Sequence, residues 1–406
     1  MRIRRLAVSA ALVAGVVAPA FAATSTGSGD LAASSSATGK GGSKGQTDLV
    51  GAAKKPTTTT SSSTTTTTTA PPPTQACTDA ADTAIRFDLP VAGETATGFY
   101  ALPDTTPTGL VVFSHGYGHS SYSWQAHLRR VAQDLDVITI AMDYRGLTFL
   151  TTEKAPGIPD TRGWNVTKGA EDGIAAAEYF QAECDVTGTI VNYGVSMGGN
   201  TSGLMAAAGA KREDNTTPLF DYWVDIEGAN AVAETYTGAR ILAPVNAFAR
   251  NAQTDIEAEM GGTFEQQTAT YLNRSNITRA ADMKAAGLKG VVLVHGVDDG
   301  LVTYDQSATM RAVLNANGVP TQTYTVTFKS PQSERETTAT GYIGGQLDPT
   351  YRSPLAGHAS EMSTTHIVSV LGFERLTAIY NGAGPDCTRE YVVDGERGQL
   401  PGETSC

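Results

Sequence analysis

The stretch that most constrains this chain is residues 187–200, TGTIVNYGVSMGGN. A β-branched apolar run ends in Gly194-Val195-Ser196-Met197-Gly198 and passes at once into small, helix-compatible residues. A strand that turns into a helix within one residue needs room on both sides of the turn, and glycines two before and two after the serine leave that room. Such a nucleophile elbow predicts a strand before Ser196 and a helix after it, with the Ser196 hydroxyl held out over a helix N-terminus where negative charge is favoured. Gly41-Gly42-Ser43-Lys44-Gly45 fits the same expression, but no apolar run precedes it and no helical pattern follows. Context selects Ser196.

The rest of the chain sets the setting for that turn. Residues 1–23 read as a secretory signal peptide: a basic start, an apolar stretch, then Ala20-Phe21-Ala22 as a small-x-small cleavage pattern. Pro19 and the small residues interrupt the apolar run before it reaches the roughly 20 residues of a membrane span, and no later segment is long enough to be one. Residues 24–76 are almost all Ser, Thr, Gly, Ala, Lys and Pro. That composition cannot bury a core, so it reads as a disordered linker or as a stalk that associates the protein with a cell surface. The remainder, 77–406, is expected to be one catalytic domain of an extracellular or surface-held protein.

The four cysteines, Cys77, Cys184, Cys387 and Cys406, are even in number and follow an export signal, so two disulfides are expected. Three pairings are open. One of them closes the C-terminal tail, about 382–406, through Cys387 and Cys406 and ties Cys77 to Cys184. No CxxC pair or cysteine-histidine cluster predicts a metal site. A net charge of −12 repels phosphates and argues against a nucleic-acid partner.

Within 77–406, short apolar runs alternate with helix-like segments. Strands are expected at 85–91, 97–102, 110–113, 137–142, before Ser196, and at 222–226, 291–294 and 323–328. Helices are expected at 122–135 and 166–184, with a Pro- and Gly-rich loop between 147 and 165. This alternation implies an α/β fold with a mostly parallel sheet and helices on both faces, whose function gathers at the strands' carboxyl ends. Residues 229–288 lack a clear strand and read as a helical cap inserted over the sheet, the alternative being ordinary crossover helices.

A serine hydroxyl needs a base, and the base needs a third group to orient it. His115 and His295 each precede a glycine at a strand end, and His127 sits in a helix. Only His358 and His366 come late in the chain.

Four motifs together resemble the α/β-hydrolase superfamily: GVSMGG around Ser196, HGYG at 115–118, DYRG at 143–146 and HGVDDGLV at 295–302. The resemblance covers nearly all of 85–380. It implies a triad in the chain order serine, acid, histidine. The register of the HGxxDxxV turn falls on Asp299, with adjacent Asp298 as the alternative. The histidine is expected in a loop after the last core strand, which selects His358. His366 is the alternative, within the amphipathic run 361–380. The gap from Asp299 to His358 is longer than the superfamily usually shows, and an insertion over about 330–357 accounts for it.

The resemblance also implies an oxyanion hole made by the backbone amides of Met197 and Tyr117, with His115 shaping the turn. Trp164 and Trp223 read either as substrate-stacking rings or as core. These expectations describe a secreted serine hydrolase that needs no cofactor and cleaves a small-molecule or polymeric ester, esterase- or lipase-like. A peptidase similar to the catalytic part of prolyl oligopeptidase is the second reading, and a silent binding protein on the same fold the third. Val195 stands where cutinase and lipase elbows usually carry histidine.

Overall fold

The computed structural model describes Cys77 and residues 83–297, 299–327, 342–343, 346–347, 358–363 and 366–393, all within the compact unit Thr69–Cys406. The expected signal peptide, the linker, Asp298, Cys406 and most of the insertion 330–357 lie outside the described residues.

A central sheet is assembled from β1 (Ile85–Val91), β2 (Glu94–Ala101), β3 (Gly109–Ser114), β4 (Val137–Met142), β7 (Thr189–Val195), β8 (Tyr222–Ile226), β9 (Gly290–Gly296), β10 (Thr321–Val326) and β13 (Arg389–Val393). Their order across the sheet is β1-β2-β4-β3-β7-β8-β9-β10-β13. Strand β2 is antiparallel to both neighbours, and every pairing from β4 to β13 is parallel. This is the α/β-hydrolase fold.

Parallel strands need crossover helices, and those helices bury both faces of the sheet, which is why the strands read as nearly unbroken apolar runs. Val111 and Phe113 of β3 turn to one face, with Val191 and Tyr193 of β7, beneath α1 (Gln125–Leu135) and the last helix, α9 (Ile367–Tyr380). Leu110 and Val112 turn to the other, beneath α2 (Val166–Glu183) and α3 (Met197–Ala207). Phe113, packed on Trp124 and Tyr193, sits where truncation to alanine costs about 3–5 kcal/mol.

Between β8 and β9 lie α4 (Val232–Leu242), α5 (Ala247–Met260), α6 (Thr268–Asn273) and α7 (Ala280–Ala286). Val232, Tyr236, Ala252 and Ile256 of α4 and α5 pack with Met197, Tyr117 and Trp164, so these two helices roof the elbow. Helix α8 (Tyr304–Ala316) returns the chain from β9 to β10. No helix among the described residues is long and apolar enough to cross a membrane.

Three elements differ from the sequence expectation. The loop expected over 147–165 contains a hairpin, β5 (Thr148–Ala155) and β6 (Ile158–Arg162), with Ala155 opposite Ile158 across Pro156-Gly157. Gly157 there has φ +75°, which a turn glycine adopts freely. The Pro and Gly that read as loop are its turn. The expected tail carries β13, whose Tyr391 stacks on Tyr324 of β10. Thr, Glu and Arg around the short Tyr-Val-Val core hide its strand character. Short strands β11 (Tyr342–Ile343) and β12 (Gln346–Leu347) pair with each other within the expected insertion.

Cys77 and Cys184 form a disulfide that joins the domain's start to the end of α2. Cys387 is also disulfide-bonded.

Candidate active site

The elbow is built by close approach. A Cβ on Gly194 would strike the carbonyl of Gly198, and one on Gly198 would strike those of Ser114 and His115 at the end of β3. Only glycine fits at either position. Ser196 between them has φ 58° and ψ −121°, strain of the kind that surrounding structure holds at functional sites. Its own amide donates to Ile226 O at 2.9 Å, and its carbonyl accepts from Gly199 N and Ala229 N, so β8 and α3 grip the turn. Helix α3 starts at Met197, whose N–H therefore belongs to the first helical turn and lacks an intrahelical acceptor.

The HGYG turn lies against the serine: a Cβ on Gly116 would come within 3.4 Å of Ser196 Cβ. His115 is fully buried and stacked on Tyr144 at 3.9 Å, and Tyr144 Oη donates to His115 O at 3.1 Å. Glu361 accepts from Gly116 N. The Tyr117 hydroxyl donates to Asp255 Oδ2 of α5 at 2.6 Å. The same carboxylate receives Arg162 Nε at 2.7 Å, Arg162 Nη2 at 2.8 Å and Gly163 N at 2.9 Å. One side chain of the roof thus holds both the turn beside Ser196 and the end of the β5–β6 hairpin.

Asp299 follows β9. Its Oδ1 accepts from Leu301 N at 2.8 Å and Val302 N at 3.0 Å, and its Oδ2 accepts from His358 Nδ1 at 2.6 Å. His295 Nε2 lies 3.3 Å from the same Oδ2, which is the physical content of the HGxxDxxV spacing. Asp299 is 5% exposed. Burial works against its charge, but His358 and His295 beside it outweigh burial and hold the carboxyl well below its usual range. Burial likewise opposes a charged His358, yet Asp299, then Glu227 and Glu361, bring that imidazole up to about 9.

His358 and Ser196 line one cleft, together with Tyr117, Trp164, Leu242 and Phe248. His366 reaches the cleft as well, but it is not inside a helix as expected. It is the N-cap of α9, and its Nδ1 accepts from Val368 N at 3.3 Å. The Trp223 ring is fully buried and donates to Ser202 Oγ at 2.8 Å, so of the two tryptophans only Trp164 meets the cleft. Asp143 and Arg145 of the DYRG turn are structural: Asp143 accepts from Ser121 N, and Arg145 pairs with Asp172.

One acidic residue escaped the sequence reading. Glu227, at the end of β8, is fully buried and lies 3.5 Å from His358 Nδ1. The only signal was an acid directly after a mostly apolar strand, one residue beyond Ile226. Glu227, Asp299 and His358 bring ligand-type atoms within 4.8 Å of one another. The His358 Nδ1–H aimed at Asp299 makes this a proton donor between two acids, with no need for a cation.

A model of the prolyl oligopeptidase family matches residues 120–330, more than half of the chain. The chain belongs to the prolyl oligopeptidase family. It is accordingly a serine hydrolase, and the matched span holds both Ser196 and Asp299. No curated protein matches the sequence. Among solved structures, the chain is similar to Pyrococcus horikoshii acylaminoacyl peptidase, 17% identical over 72% of this chain and 41% of that one, TM-score 0.46. It is similar also to a Mycobacterium tuberculosis puromycin-hydrolyzing peptidase, 13% identical over 76% and 41%, TM-score 0.45. A third likeness is to a Pyrobaculum calidifontis esterase, 17% identical over 60% and 75%, TM-score 0.43. This prolyl oligopeptidase family member spans about two fifths of the length of either peptidase.

Proposed function

We propose that this serine hydrolase is an exported enzyme that cleaves carboxylic esters through an acyl-enzyme on Ser196. His358 takes the hydroxyl proton as Ser196 Oγ attacks the ester carbonyl, then gives it to the departing alcohol. Water, deprotonated in turn by His358, releases the acid and restores Ser196. Asp299 holds the imidazole by its 2.6 Å bond to Nδ1. The amides of Met197 and Tyr117 receive the oxyanion, an interaction worth about 3–4 kcal/mol per donor.

The observation that carries the ester reading is the wall of the cleft. Tyr117, Trp164, Leu242 and Phe248 line it beside Ser196, and Ile241, Leu242 and Val245 stand exposed at 70%, 46% and 85% where α4 leads into α5. An apolar acyl or alcohol group gains from burial against such a surface. Peptide cleavage is the second reading, and membership in the prolyl oligopeptidase family favours it. The signal-like residues 1–23 and the Cys77–Cys184 disulfide support export to an oxidising compartment.

The test is hydrolysis of p-nitrophenyl esters from acetyl to palmitoyl beside peptide p-nitroanilides, with Ser196→Ala as control. Ester turnover that vanishes in the variant is expected. Anilide turnover without ester turnover would transfer the assignment to a peptidase, and an unreactive Ser196 would leave a silent binding protein.

A further inference from the structure

We infer that Glu227 is a second acid for His358, a positioning residue able to orient the imidazole when Asp299 cannot. The inference rests on His358 being the base. Glu227 is a fully buried carboxylate with no part in the acyl-enzyme route. Glu227 Oε1 accepts from Gly296 N at 3.2 Å, so it is fixed to the end of β9. Its Oε2 accepts from Ala359 N, the residue after the base, and lies 3.5 Å from His358 Nδ1. Nδ1 therefore has two carboxylate oxygens in reach, one bonded and one adjacent. Glu227 holds this place with φ +50°, a conformation a glutamate adopts only when its surroundings impose it.

Two buried carboxylates side by side cannot both ionise cheaply. Asp299 keeps the charge, since His358 and His295 offset its burial. Burial first, and the Asp299 charge second, push Glu227 up to about 7. At neutral pH Glu227 is thus only partly ionised beside a charged Asp299. Replacing Asp299 by a neutral isostere removes the second of those causes. Glu227 then ionises more readily, beside the nitrogen that has lost its partner. The other titratable groups facing these two are His295 next to Glu227, and Glu361, His366 and His119 next to His358.

The experiment is a double-mutant cycle on the full chain: Asp299→Asn, Glu227→Gln and the pair. The readout is the rate at which a fluorophosphonate modifies Ser196, which needs no knowledge of the substrate, followed across pH. Asp299→Asn alone is expected to lose about 10²-fold and the double variant about 10⁴-fold, the loss usual when a triad acid is neutralised. Glu227→Gln alone should move the rising alkaline limb to lower pH, and so raise the rate measured at neutral pH, because the carboxylate charge beside the imidazole is gone. A side chain that only braced the loop would leave that limb in place. Glu227→Asp in the Asp299→Asn background keeps the charge and should react faster than the Gln counterpart, which preserves the test where the Gln variant folds poorly. Equal rates for Asp299→Asn and the double variant, an unmoved limb, or no difference between Asp and Gln at 227 would overturn the inference. A wild-type Ser196 that never labels would instead overturn the reading of the site on which it rests.

Discussion

Below the cleft, Ser196, Glu227 and Asp299 sit at the ends of β7, β8 and β9, and the polar atoms of both acids are spoken for by backbone amides or histidines. Above it, α4 and α5 offer apolar side chains such as Leu242 and Phe248, with Ile241 and, in the link between the two helices, Val245 largely in water. The floor is fixed by a sheet with helices on both faces, and the roof by a few contacts between inserted helices and the elbow. Reaction chemistry needs the first kind of construction because its geometry tolerates little displacement. Recognition of an apolar group needs only shape and dry area.

The sharpest way to break this contrast is Ser196→Ala, expected to lower kcat by at least about 10⁴-fold with KM little changed. Asp298→Asn should leave turnover nearly intact, in contrast to Asp299→Asn. An equal loss at both positions would move the acid. The pH profile of kcat/KM should rise toward a limb near 9: His358 is held above its ordinary value, so the neutral base needed for attack gains population as pH passes that point. A profile already flat at pH 6 would refute the Asp299–His358 pairing as the source of the shift.

The Cys77–Cys184 disulfide spans 107 residues, and Cys184 packs on the core cluster beneath α2, a different cluster from the one that holds α4 and α5. Cys77→Ser with Cys184→Ser should lower unfolding free energy by about 2–5 kcal/mol in chemical denaturation while kcat in the folded protein stays the same. A changed kcat would tie the floor to the domain's first residues. Tyr117→Phe removes only the hydroxyl that donates to Asp255, a bond to a charged group worth about 1.5–3 kcal/mol. It should reduce kcat roughly tenfold, and an unchanged kcat would show that the roof does not steady the turn beside Ser196. The smallest effect is expected from Leu242→Ser, which removes a half-exposed apolar side chain that lines the cleft: a few-fold loss on palmitoyl esters and none on acetyl esters. Equal losses on both would count against an apolar mouth.

How much of this was legible in the sequence follows from chain distance. The elbow and the HGVDDGLV turn are local, since Gly194, Gly198 and the His295–Asp299 spacing act within a few residues, and both stood out. Asp299 and His358 lie 59 residues apart and meet at 2.6 Å; only a family pattern joined them in advance. Glu227 reaches Ala359 across 132 residues and Asp255 reaches Tyr117 across 138. No periodicity or turn chemistry encodes such meetings, which arise from where crossovers deliver strand ends. The hairpin β5–β6 was hidden for the opposite reason, because its turn residues dominated a short segment.

The carboxylate of Asp255 gives the molecule a limit as a scaffold. Exchanging α4 and α5 for other helices to accept a new substrate would also discard the acceptor that Tyr117, Arg162 and Gly163 share. Selectivity and speed are therefore not separable modules in this enzyme, and a roof transplanted from a relative would have to bring an acid at that position or rebuild the turn beneath it.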